Sequence, residues 1–150
     1  MIKRNSEQWM LLALKEANKA LKLGEVPIGA MIVKDNEVLG RGYNQVESLK
    51  DSTAHAEIIA ITSASNTIDD WRLNECSIYI TKEPCLMCIG AILHSRMKRV
   101  YFGTFDTNLG FIKKLKVEIN IKIPHLKTIQ GGILEFECKK IIQDFFLKKR

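Results

Sequence analysis

Short runs of apolar and β-branched residues alternate with helical periods along this chain, and that alternation restricts the fold more than any other feature of the sequence. AMIVK (30–34) and EVLGRGY (37–43) flank Asp35 and Asn36, turn formers that predict a β-hairpin. SIYIT (77–81) and RVYFG (99–103) read as further strands, and a weaker signal between 117 and 129 reads as a last one. A first helix is predicted after Asn5 and Ser6, where Trp9, Leu12, Ala13, Ala17, Ala20 and Leu21 recur at helical spacing and Gly24 can cap the end. Further helices are predicted from the stretch STAHAEIIAI (52–61) to about Ser65, from Pro84 to about Ser95, and from about Ile133, after Gly131 and Gly132, to 150. Strands alternating with helices of about ten or more residues predict an α/β layered sheet with helices on both faces. No repeat or low-complexity linker interrupts it, and 150 residues with 46% hydrophobic content are enough for one domain over 1–150.

Two of the predicted helices begin with ionisable residues inside apolar surroundings. In STAHAEIIAI, His55 and Glu57 stand two apart, so on a helix their side chains diverge by about 200° and cannot share a lateral face. They can share an end, because first-turn side chains tilt toward the N-terminus, with Thr53 or Ser52 as the cap. In EPCLMCIG (83–90), Cys85 and Cys88 have C-x-x-C spacing, which places both sulfurs on one side of a first turn, and Pro84 suits the first helical position. Alone, this C-x-x-C fits zinc ligands, a redox pair or chance; the preceding Pro and the upstream His-x-Glu weaken the redox reading.

If the two helix tips face each other, one His and two Cys supply three ligands and leave a fourth position open, the pattern of a catalytic zinc. H-A-E followed by P-C-x-x-C is also the signature of zinc nucleobase deaminases. EVPIGAMIV, GYN, TAHAEI, EPCLMCIGAILHSRMKRVYFG and GILEFEC followed by DFF then extend the match from about residue 8 to the C-terminus. Through these blocks the chain resembles the TadA-type tRNA adenosine deaminases of bacteria, in the cytidine/deoxycytidylate deaminase superfamily. The resemblance implies a three-layer cytidine-deaminase-like fold with a central five-stranded mixed sheet. It implies hydrolytic conversion of the wobble adenosine of tRNA to inosine, with one Zn²⁺ per subunit held by His55, Cys85 and Cys88 and with Glu57 carrying protons. It also places Asn44, Ala56 and Pro84 against the substrate and Asp106 on the RNA side, and implies a homodimer with active sites near the interface. Ser52, Lys82 and Asn108 stand where that family commonly has Pro, an apolar residue and Lys.

The charge agrees with a polyanionic partner. Residues 94–127 hold eight Lys and Arg against two acids, which accounts for the whole net charge of +6, although a solvated lysine-rich surface would look the same. In the last helix Leu134, Cys138, Ile141 and Phe145 make one apolar stripe; Phe146 lies at its edge on the side of Lys139, Gln143 and Arg150, a platform for stacking an unpaired base. Residues 1–10 lack a signal-peptide core and no run is long enough to span a bilayer, so a cytoplasmic protein without membrane contact is expected. Cys76 and Cys138 read as buried hydrophobes, His94 as a residue behind the metal site or facing RNA, His125 as a loop residue, and Trp71 and the methionines as packing. There are three rivals: a non-catalytic partner subunit, which would usually lack Glu57; a free-base or nucleoside deaminase of cytosine or guanine type, which shares the zinc set without needing the basic segment or the C-terminal aromatic helix; and a non-catalytic zinc module that binds RNA. The last wants a fourth protein ligand, and none is spaced for it.

Overall fold

The structure, a computed structural model, describes residues 2–118 and 126–149. Helix α1 (Ser6–Lys22) starts on a reciprocal cap: the Gln8 amide donates to Asn5 Oδ1 and the Asn5 amide to Gln8 Oε1, each at 2.9 Å. Strands β1 (Gly29–Lys34) and β2 (Glu37–Tyr43) form the expected hairpin, in which Asp35 and Asn36 both take positive φ, 50° and 62°, as a type I′ turn requires. Then come α2 (Val46–Leu49), α3 (Ala56–Ile68), β3 (Ser77–Lys82), α4 (Leu86–His94), β4 (Arg99–Thr104), α5 (Phe111–Glu118), β5 (Thr128–Gln130) and α6 (Glu135–Lys148).

The strands make one mixed sheet of order β2-β1-β3-β4-β5. β1 runs antiparallel to β2 and β3, while β3, β4 and β5 are parallel, with Ser77 beside Arg99 at one end and Lys82 beside Thr104 at the other. Alternate residues of each central strand enter different layers. Ala30, Ile32, Ile78, Ile80, Val100 and Phe102 pack with Ala56, Ala60 and Ala64 of α3, Ile89 and Ile92 of α4, and Phe111 of α5. Met31, Val33 and Tyr79 pack on the opposite side with Trp9, Met10 and Ala13 of α1 and Cys138 of α6. This is the three-layer α/β architecture the resemblance implies.

Helix α3 is seated by missing side chains. Ala56, Ala60 and Ala64 form one stripe at four-residue intervals, and opposite them β2 carries Gly40 and Gly42. A Cβ on Gly40 would lie 2.5 Å from the Ala64 nitrogen, and one on Gly42 would strike the Ala56 carbonyl and lie 2.7 Å from the Ala60 nitrogen. The helix backbone therefore rests on the strand backbone, which places the α3 tip beside the sheet edge.

Several boundaries depart from the sequence reading. The basic stretch leading to the expected last strand, for which no helix is predicted, contains α5, whose Phe111, Ile112 and Leu115 reach the core while Lys113 and Lys114 break the apolar pattern. The last strand is described over Thr128–Gln130, and most of its expected span, residues 119–125 including His125, lies outside the described residues. α6 begins at Glu135 and not Ile133, because Leu134 takes a left-handed conformation, φ 51°, that no helix continues through. Trp71 is half exposed, not packed: the Arg72 guanidinium lies 4.6 Å from its ring centre and that of Arg96 5.8 Å.

Candidate active site

Both helix tips named by the sequence point into one place, but with different capping. The N-cap of α3 is His55 itself, not Thr53 or Ser52; Thr53 instead donates its hydroxyl to Asp51 Oδ1 at 2.7 Å. The N-cap of α4 is Cys85, so Pro84 lies one residue outside the helix and not at its first position. Neither cap side chain makes the usual capping bond to its own helix, although Cys85 also meets the Cys88 thiol of α4. An N-cap side chain normally turns back onto the first amides; here both turn toward each other. His55 Nδ1 lies 3.7 Å from Cys85 Sγ and 3.4 Å from Cys88 Sγ.

These distances are those of a metal site. A tetrahedral Zn²⁺ about 2.3 Å from sulfur and about 2.0–2.1 Å from nitrogen sets N···S separations of about 3.6 Å. Among the described residues, His55, Cys85 and Cys88 are the group of His, Cys and acid side chains that can hold a metal ion, their donor atoms all within 4.8 Å of one another. The protonation balance agrees. The Cys88 thiol and then His55 pull Cys85 down to about 4, while the Cys85 thiolate, burial and Glu57 together push Cys88 up. Cys85 in turn raises His55. Without a cation only one of the two thiols can shed its proton, so two thiolates side by side call for the positive charge of a metal. Both tips add the partial positive charge of a helix N-terminus.

Glu57, the second residue of α3, is buried and stands outside the ligand cluster, against the Cys88 thiol. Burial raises its carboxyl above the ordinary value. A cavity of about 240 Å³ opens in front of the cluster, lined by Val26, Ile28, Asn44, Ala56, Glu57 and Phe146 among others. That is smaller than the roughly 300–1,000 Å³ of sites that enclose a drug-sized ligand, so it suits one small ring system.

The remaining predicted residues divide. Asn44 and Ala56 line the cavity, as do Asp106 and Phe146. Asn44 is held in place: its Nδ2 donates to the Val26 carbonyl at 3.2 Å and its Oδ1 accepts from the Val46 amide at 3.4 Å. Pro84 is buried behind Cys85, and its carbonyl accepts from the Phe111 amide at 3.1 Å. Lys139 lies on a separate, shallower groove of about 520 Å³ along α6 that Phe146 shares. Arg150 lies outside the described residues. His94 closes α4 at its far end, exposed and about 13 Å along the helix from the Cys85 tip, so it does not stand behind the metal site.

Two glutamates to which the sequence assigned no role, and Lys82, noted there only as a departure from the family pattern, shape the cavity and its surroundings. Glu83 is a buried acid whose Oε1 accepts from the Asp106 amide at 3.1 Å and whose Oε2 accepts from the Ile112 amide at 2.9 Å, tying the loop after β4 to the cysteine tip. Lys82 Nζ pairs with Asp106 Oδ2 at 2.9 Å on the cavity wall. Glu25 is buried behind the Asn44 wall. Local spacing marks neither glutamate: Glu83 directly follows Lys82, and Glu25 follows Gly24 in a short connection.

The chain matches the family model of the MafB19-like deaminases over residues 4–150. It is 46% identical to the tRNA-specific adenosine deaminase of Buchnera aphidicola subsp. Schizaphis graminum, covering 95% of this chain and 94% of that one. A solved structure from work on A-to-I editing by tRNA:A34 deaminases at the wobble position superposes with a TM-score of 0.82 at 36% identity, covering 89% of this chain and 98% of that one. A guanine deaminase structure from Bacillus subtilis follows with a TM-score of 0.68 at 31% identity, covering 83% and 82%. With the His–Cys–Cys cluster, the buried glutamate and the five-stranded sheet all in place, the chain belongs to the MafB19-like deaminases and, among them, to the family of the tRNA-specific adenosine deaminases.

Proposed function

We propose that this protein deaminates adenosine to inosine at the first anticodon position of tRNA, using one Zn²⁺ per chain held by His55, Cys85 and Cys88. The observation that carries this reading is the placement of a non-ligating, buried Glu57 beside a three-donor cluster at the end of a cavity sized for one base. Zinc in this site supplies Lewis acidity that makes water a nucleophile near neutral pH. Glu57 would take a proton from the water that attacks C6 and deliver it to N1 of the ring. A second proton passes through the same carboxyl to the departing amine, so that the C6–N bond breaks as the C6–O bond is kept. Adenosine and water become inosine and ammonia. A raised carboxyl affinity for protons suits a group that must both take and give them.

Asn44 holds the base or ribose, Ala56 forms the cavity wall, and Pro84 sets the cysteine tip. Because C6 is inaccessible in a stacked base, the nucleotide leaves its loop and enters alone, with Phe146 and Asp106 at the mouth and Lys139 along α6 meeting the flanking strand. Exposed Leu86 and Met87, beside the metal-binding cysteines on α4, support a homodimer that covers them. Four free thiols fit the reducing cytoplasm, where tRNA also resides. Among the described residues no helix is long and apolar enough to cross a membrane.

The test is incubation of the zinc-loaded protein with a tRNA whose anticodon begins with A, inosine being read as G on sequencing. Conversion of free guanine or cytosine without conversion of tRNA would replace this reading with a free-base deaminase. Binding of tRNA with no conversion of any substrate would leave a zinc RNA-binding module.

A further inference from the structure

Glu25 lies 1% exposed in the segment between α1 and β1, and its carboxylate is spent entirely on the other side of the cavity wall. Oε1 accepts from the Glu47 amide at 3.0 Å; Oε2 accepts from the Ser48 amide at 2.6 Å and from the Ser48 hydroxyl at 2.5 Å. These donors belong to α2, a single turn of four residues whose own N-cap, Gln45, makes no side-chain cap. An isolated turn does not hold itself in water, so α2 depends on the acceptor supplied from residue 25.

Asn44 is bracketed by the neighbours of the same two segments. Its Nδ2 donates to the carbonyl of Val26, next to Glu25, and its Oδ1 accepts from the amide of Val46, next to Glu47. The Glu25 carboxylate thus joins the two segments one residue away from the bonds that orient the Asn44 amide. We propose that Glu25 is a positioning residue for the deamination: it clamps residues 46–48 to residues 25–26 and thereby aims the Asn44 side chain into the substrate cavity. The clamp rests on the proposed function, in which Asn44 touches the substrate.

The experiment is a double-mutant cycle on the zinc-loaded protein, measuring kcat and KM on the tRNA with A at the wobble position, together with melting temperature and zinc content. Glu25→Gln keeps the side chain's shape but sets an amide N–H₂ against one of the α2 donors. It should raise KM about tenfold, with kcat within about a factor of two and zinc content unchanged. In an Asn44→Ala background the same substitution should add nothing to the loss, since the group it aims is gone. Additive losses, or an unchanged KM in a folded Glu25→Gln protein, overturn the clamp alone. Should Glu25→Gln fail to fold, Ser48→Ala removes a single donor and carries the same test, with a KM rise of about threefold that again disappears beside Asn44→Ala. A wild-type protein that converts no tRNA, or an Asn44→Ala protein as active as wild type, overturns the underlying reading and the clamp with it.

Discussion

The metal end of the cavity and the outward face of α6 meet at Phe146, yet they are built by opposite rules. At the metal end His55 and Cys85 are helix caps, Cys88 and Glu57 are first-turn residues, and Glu83 and Glu25 brace the surroundings through backbone amides. Every position is set by main chain, which hardly moves once the sheet and helices are packed. On α6, Phe136, Phe146 and Leu147 are exposed beside Lys139 and Lys140, attached to the protein only through the buried stripe beneath them. On the proposed function, chemistry that needs fixed distances would sit where the backbone decides them, and contact with a flexible strand on side chains that can adapt.

The sharpest way to break this comparison is Glu57→Ala. On the proposed roles it removes a proton carrier and no ligand, so deamination should fall by roughly 10² to 10⁴ while zinc content and folding remain. Metal analysis beside single-turnover assays reads both, and a variant without zinc would make Glu57 a ligand.

The two adjacent phenylalanines of α6 test the boundary itself. Phe145 is 6% exposed and Phe146 is 50% exposed, their rings 5.2 Å apart edge to face. Phe145→Ala should cost about 3–5 kcal/mol of stability, seen as a large drop in melting temperature. Phe146→Ala should leave the melting temperature nearly unchanged and raise KM for tRNA several-fold, the loss of one stacked base, about 1–3 kcal/mol. If Phe146→Ala unfolds the protein and spares tRNA affinity, α6 belongs to the rigid region and the contrast fails.

Gly42→Ala probes the rigid side from behind. The added methyl strikes the Ala56 carbonyl, adjacent to His55, and α3 can yield only by moving its tip. The expected result is a loss of about 1–3 kcal/mol in denaturant unfolding together with weaker zinc retention against a chelator. Retained zinc at full affinity would show that the tip adjusts more freely than its packing implies.

Charge sharpens the comparison more gently. Two residues of the basic segment sit far from the cavity: Lys98 precedes β4 and Arg99 begins it, at the end of the sheet opposite Lys82 and Thr104, and both pair with Glu75. Binding to tRNA should weaken steeply with salt, and Lys139→Ala should reduce the slope of log affinity against log salt by about one. Lys98→Ala should leave it unchanged. Equal effects would return phosphate contact to the whole basic segment.

Asp106 gives the smallest effect. Burial lifts its carboxyl, but the Leu109 and Asn108 amides and the Lys82 ammonium outweigh that and hold it below its ordinary value of 3.8. A folded-state value below the unfolded one adds stability above the ordinary value and loses it as pH falls through the folded one. Asp106→Asn should therefore be less stable than wild type at neutral pH, and the gap should close in urea titrations carried below about pH 4.

What the sequence by itself determined is whatever depends on local spacing. The hairpin follows from Asp35 and Asn36 accepting positive φ, the existence of the central strands from short apolar and β-branched runs, and the four chemical residues from two short motifs placed at helix starts. The buried stripe of α6 and the exposure of Phe146 also follow from period alone. Helix α5 and the start of α6 escaped it, because Phe111 is held by the core and Leu134 by a left-handed turn, neither of which leaves a periodic trace. The caps escaped it for a related reason: Ser52 and Thr53 are better capping residues than histidine, and only the arrival of the cysteine tip, brought by β3 lying beside β1, gives the His55 side chain something else to face. Glu25, Glu83 and the Lys82–Asp106 pair belong wholly to the tertiary structure, since each joins segments more than twenty residues apart whose meeting is decided by sheet order.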